Sequence, residues 1–450
     1  MIKKYFIPVF VLLASWAAAQ DGGLLKPEDV IKLAIENNFD VQIARNNEEI
    51  AKNNNNIGLV GGGASTNGIN TSGSAGMLPQ VQLTAAPSLA NSNIHQKYSN
   101  GTDITQSGVA SNNVSAAVTV TWYFFDGLKM FATKKKLNRY EELSNLQFKQ
   151  TLENTLLNAL TAYYQMISIQ QLIKSLQVSL DLAADQKKLA AEKLKAGTGS
   201  NVDVLQTQID YNNLQVQMLQ QQNLLNEQRA NLNIIFKRPP ETNFTVPDTI
   251  IIQTKPAFEE AVQGLEKGNS SILIGAKNVE ISELVLKEFR GNRYPRIGVI
   301  GNYALSRTQN QAGFSLLNQN LGYTLGFTAS WNLLNNLATH TAVKNQIVQI
   351  SSDKMRLDAA KLTERSNLYK AWYDFQNNLA IIDIEKQSAN LSSQNLNIAS
   401  ERFKLGLSNY VEYRTVEQSY EQTVYRLSDA AFNAKISELN YLKAQGLLVR

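Results

Sequence analysis

Cysteine is absent from the 450 residues, and histidine occurs only at His95 and His340. The first absence excludes disulfide scaffolds, thiol nucleophiles, iron–sulfur clusters and cysteine-built zinc sites. The second leaves nothing from which to assemble a histidine metal centre or a Ser-His-Asp triad, since the two residues lie far apart in sequence. No catalytic residue, metal ligand, cofactor or enzyme activity is therefore expected. Charge is scarce too: Asp, Glu, Lys and Arg make up 18% of the chain, against roughly 25% in soluble domains. Asn, Gln and Ser fill much of the gap, a composition suited to lining an aqueous passage. The formal net charge is +5 (43 − 38), too weak and too dispersed to argue for nucleic acid.

Long hydrophobic runs are missing except at the start. Lys3 and Lys4 precede an apolar core from Tyr5 to Ala14, and Ala17-Ala18-Ala19 offers a small-residue cleavage site before Gln20. Residues 1–19 read as a signal peptide. Its removal takes two lysines and lowers the net charge to +3 (41 − 38). No cysteine follows, which excludes a lipid anchor at that point. No other window approaches 18 apolar residues, so no transmembrane helix is expected. An exported chain of this kind is periplasmic, secreted or an outer-membrane barrel.

The chain reads as a tandem duplication. At a shift of 209 residues Trp122 falls on Trp331, and Ala162-Tyr163-Tyr164 on Ala371-Trp372-Tyr373. At the same shift Lys195-Ala196-Gly197 falls on Lys404-Leu405-Gly406, and Val202-Asp203 on Val411-Glu412. Upstream the shift grows, to 216 at Leu78-Pro79 and Tyr294-Pro295. Part of the first repeat's excess lies in Gly58–Gly76, a Gly/Ser/Asn-rich spacer. Gly61-Gly62-Gly63 within it lacks the Gly-Lys-Ser/Thr of a phosphate loop. The repeats are 20–238 and 257–450, joined by a linker at 239–256.

Glycine and proline punctuate each repeat in the same way. The 69 residues between Gly127 and Gly197 contain neither, and residues 337–405 are equally free of both. Residues 200–238 and 407–445 continue without either. Apolar residues recur inside at helical spacing, as in Leu152, Leu156, Leu160, Tyr163 and Ile167. The spacing predicts long helices over 128–196 and 337–405, each roughly 100 Å, and half-length helices over 200–238 and 408–445. Each pair turns back at a glycine, as an antiparallel hairpin does.

Ahead of each long helix lies a strand pair. Val114 to Phe124 and Leu321 to Leu333 alternate apolar with small uncharged residues, at a length that crosses a bilayer when tilted. A strand half-buried in a soluble sandwich shows the same alternation. Expected strands are about 80–90, 113–125, 296–306 and 320–333. Trp122, Tyr123, Phe124, Phe125 and Trp331 form a candidate interfacial aromatic belt. Four strands cannot close a membrane barrel, for which eight is the minimum. Two copies would supply eight strands and three would supply twelve, and a wide helical tube favours the larger number.

These residues resemble the TolC-like outer-membrane efflux and secretion channels. The resemblance rests on the duplicated order, the two Pro-led strand entries, the exit Trp122-Tyr123-Phe124-Phe125-Asp126-Gly127, and an acid six residues after each tip glycine. It implies a mainly α protein with membrane β: a homotrimer with a twelve-stranded β-barrel on a twelve-helix periplasmic α-barrel. The location implied is the outer membrane of a Gram-negative bacterium, in contact with its lipid. Implied partners are a periplasmic adaptor and an inner-membrane transporter. The tips Gly197, Thr198, Gly199, Ser200 and Asn201, with Gly406, Leu407, Ser408 and Asn409, would meet the adaptor.

Relatives narrow their entrance with aromatic and charged side chains. Here Asp203, Phe403, Tyr410 and Glu412 are the candidates, while Thr415 and Ser408 stand where some relatives place a further acid and a base. Arg402, Lys404 and Arg414 near the second tip would bind an adaptor carboxylate or solvate the turn. Lys134-Lys135-Lys136 reads as a solvated helix face or a contact with lipid headgroups. The function implied is passive conduction from periplasm to exterior in an efflux or type I secretion system. A non-conducting trimeric envelope scaffold is the alternative.

Overall fold

The structure is a computed structural model that describes residues 23–57, 75–253, 257–312, 315–334 and 337–449. The expected signal peptide and most of the Gly58–Gly76 insertion lie outside the described residues. Twelve elements follow in order: α1 (Pro27–Asn37), α2 (Phe39–Ile57), β1 (Gln80–Lys97), β2 (Asp103–Phe125), α3 (Lys129–Lys195) and α4 (Asn201–Ile235). Then come α5 (Phe258–Gly268), α6 (Ser270–Gly291), β3 (Arg296–Asn310), β4 (Leu317–Ser330), α7 (Ala338–Lys404) and α8 (Tyr410–Ala444). Two helices, two strands, a long helix and a half-length helix occur twice. The long helices are both 67 residues and the shorter ones both 35. The protein is mainly helical with one small antiparallel sheet.

Backbone contacts divide the chain into two compact units, and the division falls within α3 and α7. The first unit holds α1, the later parts of α3 and α7, α4 and nearly all of α8. Its core is built from Tyr163, Leu214, Leu232, Phe236, Phe375 and Tyr413, all essentially without solvent contact. The segment after α4 is stitched to this unit by polar contacts. Asn233 Nδ2 donates to the carbonyls of Pro240 and Thr242 at 3.0 and 2.9 Å. Lys435 Nζ donates to the Ile251 carbonyl at 2.8 Å and pairs with Glu438. Leu24 forms a parallel bridge with Thr245, and Tyr163 Oη donates to the Leu25 carbonyl at 3.0 Å.

The second unit holds α2, the four strands, α5, α6 and the early parts of α3 and α7. Its sheet has the order β1-β2-β3-β4, antiparallel throughout. β1 and β2 run well past the expected ends, to Lys97 and from Asp103. The stretches Asn91–Lys97 and Asp103–Ala110 carry little hydrophobic alternation, so nothing in their pattern marks a strand. Cross-strand pairing extends them nonetheless, through a register shift between Ser92 and Ile94 and a bond from Gly108 N to Asn93 Oδ1 at 2.9 Å. β4 starts earlier than expected, at Leu317, and ends at Ser330, before Trp331.

The strand entries and exits are built alike in both repeats. Trp122 Nε1 donates to the Met77 carbonyl and Trp331 Nε1 to the Arg293 carbonyl, each at 3.0 Å. Each indole thus ties its strand's end to the Pro-led entry of the neighbouring strand. At the corners into α3 and α7, Leu128 and Leu337 take positive φ of 64° and 59°, a conformation costing roughly 1–2 kcal/mol for a residue with a Cβ. Below the sheet, buried Glu288 on α6 accepts from Thr133 Oγ1 at 2.6 Å and pairs with Lys136 at 2.8 Å.

Gly127 has φ +74°, and a Cβ there would stand 2.2 Å from the Gly291 carbonyl oxygen. Gly101, at φ +84°, faces open space. Gly127→Ala should therefore cost about 2–4 kcal/mol, and Gly101→Ala only about 1 kcal/mol. Unfolding midpoints of the purified variants check the difference.

Candidate functional site: the hairpin tips and the two faces of the sheet

Each hairpin tip in the first unit is closed by a left-handed glycine, Gly197 at φ +69° and Gly406 at φ +73°. Thr198 N and Leu407 N donate back to the carbonyls of Lys193 and Arg402 at 3.0 and 2.9 Å. Gly197 N and Gly406 N reach Leu194 and Phe403. This paired pattern satisfies the last carbonyls of a helix, and glycine adopts it without a Cβ penalty. The returning helices start on polar caps. Ser200 Oγ accepts from Val202 N at 3.1 Å, and Asn409 Oδ1 accepts from Glu412 N at 2.8 Å.

The four entrance candidates lie in different settings. Phe403 and Tyr410 are buried, packed with Leu396 and Tyr413. The Phe403 ring stacks on Tyr413 at 5.4 Å and carries Lys193 Nζ on its face at 4.4 Å. In this arrangement both candidate aromatics belong to the interior of the unit rather than to a free surface. Asp203 is half-buried on the wall of a cavity of about 340 Å³ between the two tips, which Gln186, Ser408 and Asn409 also line. Glu412 is exposed and 3.6 Å from Arg402. Lys404 pairs with Glu401 at 2.9 Å.

A charged network beneath the tips escaped the sequence reading. Tyr410 Oη donates to Asp210 Oδ2 of α4 at 2.7 Å. Arg414 of α8 reaches Glu417 at 2.8 Å and Glu421 at 3.2 Å, and its Nε lies 3.8 Å from Asp210. Tyr413 Oη donates to Glu417 at 3.3 Å. The network ties the second hairpin to the first through Asp210. Burial raises the pKa of the Tyr410 hydroxyl, and its bond to Asp210 adds to the rise. Burial opposes the Arg414 charge, but Glu421 and Glu417 outweigh it and hold the guanidinium pKa above its ordinary value. Burial also lifts the Glu417 pKa, with Arg414 pulling against it. A signal for this network did exist: Arg414 has acids at i+3 and i+7, on one helix face.

In the second unit the sheet presents two unlike faces. Register and alternation put Val81, Leu83, Val118, Val120, Tyr303, Tyr323, Leu325 and Phe327 on one side. These are exposed, Phe327 to 87%. The other side carries Gln82, Thr84, Ser115, Thr119, Asn302, Ser306 and Thr324, all uncharged. The residues of the candidate aromatic belt divide between them. Trp122 and Phe124 are exposed and meet edge-on at 6.2 Å. Trp331 is exposed as well. Tyr123, one residue out of phase, turns to the polar side under Arg296 at 4.1 Å. Phe125 follows a register shift and pairs with Ile297.

Long helices, half-length helices and a two-faced four-stranded sheet, repeated in tandem, are the fold of the outer-membrane channels. The VceC outer membrane protein of Vibrio cholerae superposes with a TM-score of 0.74 at 13% identity, over 93% of this chain and 96% of that one. The CmeC outer membrane channel of Campylobacter jejuni gives 0.74 at 13% identity, over 100% and 93%. The open state of the Neisseria gonorrhoeae MtrE outer membrane channel gives 0.67 at 13%, over 94% and 89%. No curated protein sequence matches. Residues 70–235 match the outer membrane efflux protein family. The chain is thus similar in fold to these outer-membrane channels along nearly its whole length, and similar in sequence to the outer membrane efflux protein family across most of its first repeat.

Arg414→Met leaves buried Glu417 without its cation and should destabilise the first unit by about 3–5 kcal/mol. Because the folded-state pKa of Glu417 is raised, protonation favours the folded form. The deficit should be full above that pKa and shrink as the pH falls through it toward the ordinary carboxylate range. Thermal unfolding of the variant at several pH values checks both statements.

Proposed function

We propose that three copies of this chain form a passive duct across the outer membrane. The observation that carries this reading is the sheet. One face is apolar and exposed, the other mostly uncharged and polar, and the outward edges of β1 and β4 are unpaired among the described residues. From Leu321 to Trp331 the apolar face spans roughly 25 Å along a tilted strand, the height of a barrel's lipid band. Free edges cannot stand in lipid, because their N–H and C=O groups would lack partners. Three copies close twelve strands, with the polar faces around water.

The helices support the same closure. Val348, Met355, Leu362 and Tyr369 on α7 are exposed at seven-residue intervals, and so are Ile384, Leu391, Ile398 and Leu405. On α4, Val202, Leu205, Ile209, Val216 and Leu219 are exposed as well. Such stripes are coiled-coil seams awaiting a neighbour. Twelve helices would then form a tube on the periplasmic side, with the tips as its entrance. A periplasmic adaptor docks there, and an inner-membrane transporter supplies the energy. The protein itself does no chemistry. The entrance opens as the second hairpin moves against the first, against the bonds of Tyr410 and Arg414 to Asp210.

Single-channel recording in planar bilayers tests the duct. Purified protein should conduct, whereas a non-conducting scaffold would leave the bilayer silent. Asp210→Asn combined with Tyr410→Phe removes a hydrogen bond to a charged group, worth about 1.5 kcal/mol, and should raise the open population about tenfold. An unchanged conductance would count against the entrance mechanism. Disulfides placed between neighbouring tips should abolish export in cells, and full export through a locked tip would refute it.

A further inference from the structure

Both long helices begin with the same surface pattern. At the 209-residue shift Leu128 matches Leu337, Phe131 matches His340 and Lys135 matches Lys344. In each set the second and third residues stand four apart on one helix face, and the leucine sits at the corner just before the helix. All six residues are exposed. The leucines are turned outward at positive φ in both repeats, 62% and 72% exposed. Of the lysine run 134–136, Lys134 donates to the Asn55 carbonyl at 2.9 Å and Lys136 pairs with Glu288. Lys135 has no hydrogen bond or ion pair among the described residues, and neither has Lys344.

The two sets follow the aromatic ends of the strands directly in sequence. Exposed Trp122 and Phe124 precede the first, and exposed Trp331, Leu333 and Leu334 the second. From the aromatic ends of the strands a leucine comes first, and a lysine follows about 10 Å further along the helix axis. That is the order of layers met on leaving a bilayer, acyl chains and then phosphates. The lysine stem can bend back to reach phosphate depth. On α7 the apolar seam starts at Val348, one turn beyond Lys344.

The geometry points to a lipid-headgroup site at each strand-to-helix corner, with Leu128 and Leu337 against acyl chains and Lys135 and Lys344 on the phosphate of an anionic phospholipid. The ligand is a lipid rather than a soluble anion, because the outward leucine gains nothing from free phosphate. This inference rests on the duct reading, since it requires the apolar face of the sheet to lie in the bilayer.

Native mass spectrometry of the full-length protein, incubated with equal amounts of phosphatidylglycerol and phosphatidylcholine, tests it. The wild type should retain phosphatidylglycerol preferentially, and the double variant K135Q/K344Q should bind it about fivefold more weakly per site. K404Q, at the hairpin tip, should bind as the wild type does. Equal retention of the two lipids, or undiminished phosphatidylglycerol in the double variant, overturns the proposal. So does displacement of the lipid by excess inorganic phosphate, which would make the ligand a free anion. A double variant that loses its trimer yet keeps its phosphatidylglycerol would assign the lysines to a neighbouring copy, again overturning it. Conductance of the same samples keeps the two readings apart: a silent wild type defeats the duct, while the lipid counts alone decide the corners.

Discussion

A β-strand at the edge of a sheet carries backbone donors and acceptors that must find partners, and in lipid no water can supply them. In the proposed duct, that demand governs the assembly. Placed in lipid, a four-stranded sheet with an exposed apolar face and edges unpaired among the described residues would be incomplete as a single chain. The uncovered heptad seams on α7 and α4 express the same incompleteness in the helices. The proposed trimer answers both with one operation, since a symmetric closure that pairs β1 with a neighbour's β4 also brings helix seams from neighbouring copies together.

The duplication makes each structural solution appear twice. Trp122 and Trp331 each spend their indole N–H on the backbone of a strand entry, and Leu128 and Leu337 each hold a strained corner. The repeats also differ where their neighbours differ. At Gly127 a side chain would meet the Gly291 carbonyl. Phe131 is answered by His340, and the hairpin of β1 and β2 runs further than that of β3 and β4. Shared positions report what the fold requires, and unshared ones report local surroundings.

Charge is scarce, and a few of its buried or half-buried pairs hold elements together. Glu288 with Lys136 secures α6 to α3, and Lys435 with Glu438 secures the linker. Arg414 gathers Glu417 and Glu421 beside Asp210, joining the second hairpin to the first. Removing one member of such a buried set leaves an uncompensated charge, which is more damaging than the pair is stabilising. The polar face of the sheet has no comparable set among the described residues: Ser, Thr, Asn and Gln dominate it, with Arg296 over Tyr123 at its end.

Much of this was legible in the residues themselves, because local physics carries it. Gly- and Pro-free runs with helical spacing marked α3, α4, α7 and α8 to within a few residues, and left-handed glycines marked the tips. Period-two alternation marked the apolar parts of β2 and β4, and a leading proline pointed to their weaker partners β1 and β3. The polar extensions of β1 and β2 were not legible, since pairing with a partner, rather than hydrophobic pattern, makes them strands. Nor was the fate of Phe403 and Tyr410, whose burial depends on Tyr413 and Leu396 packing around them. Asp210 and Arg414 stand 204 residues apart in sequence. Only the tertiary structure brings them together, because the attraction between charges depends on distance in space and on burial, and neither is written in the order of the residues.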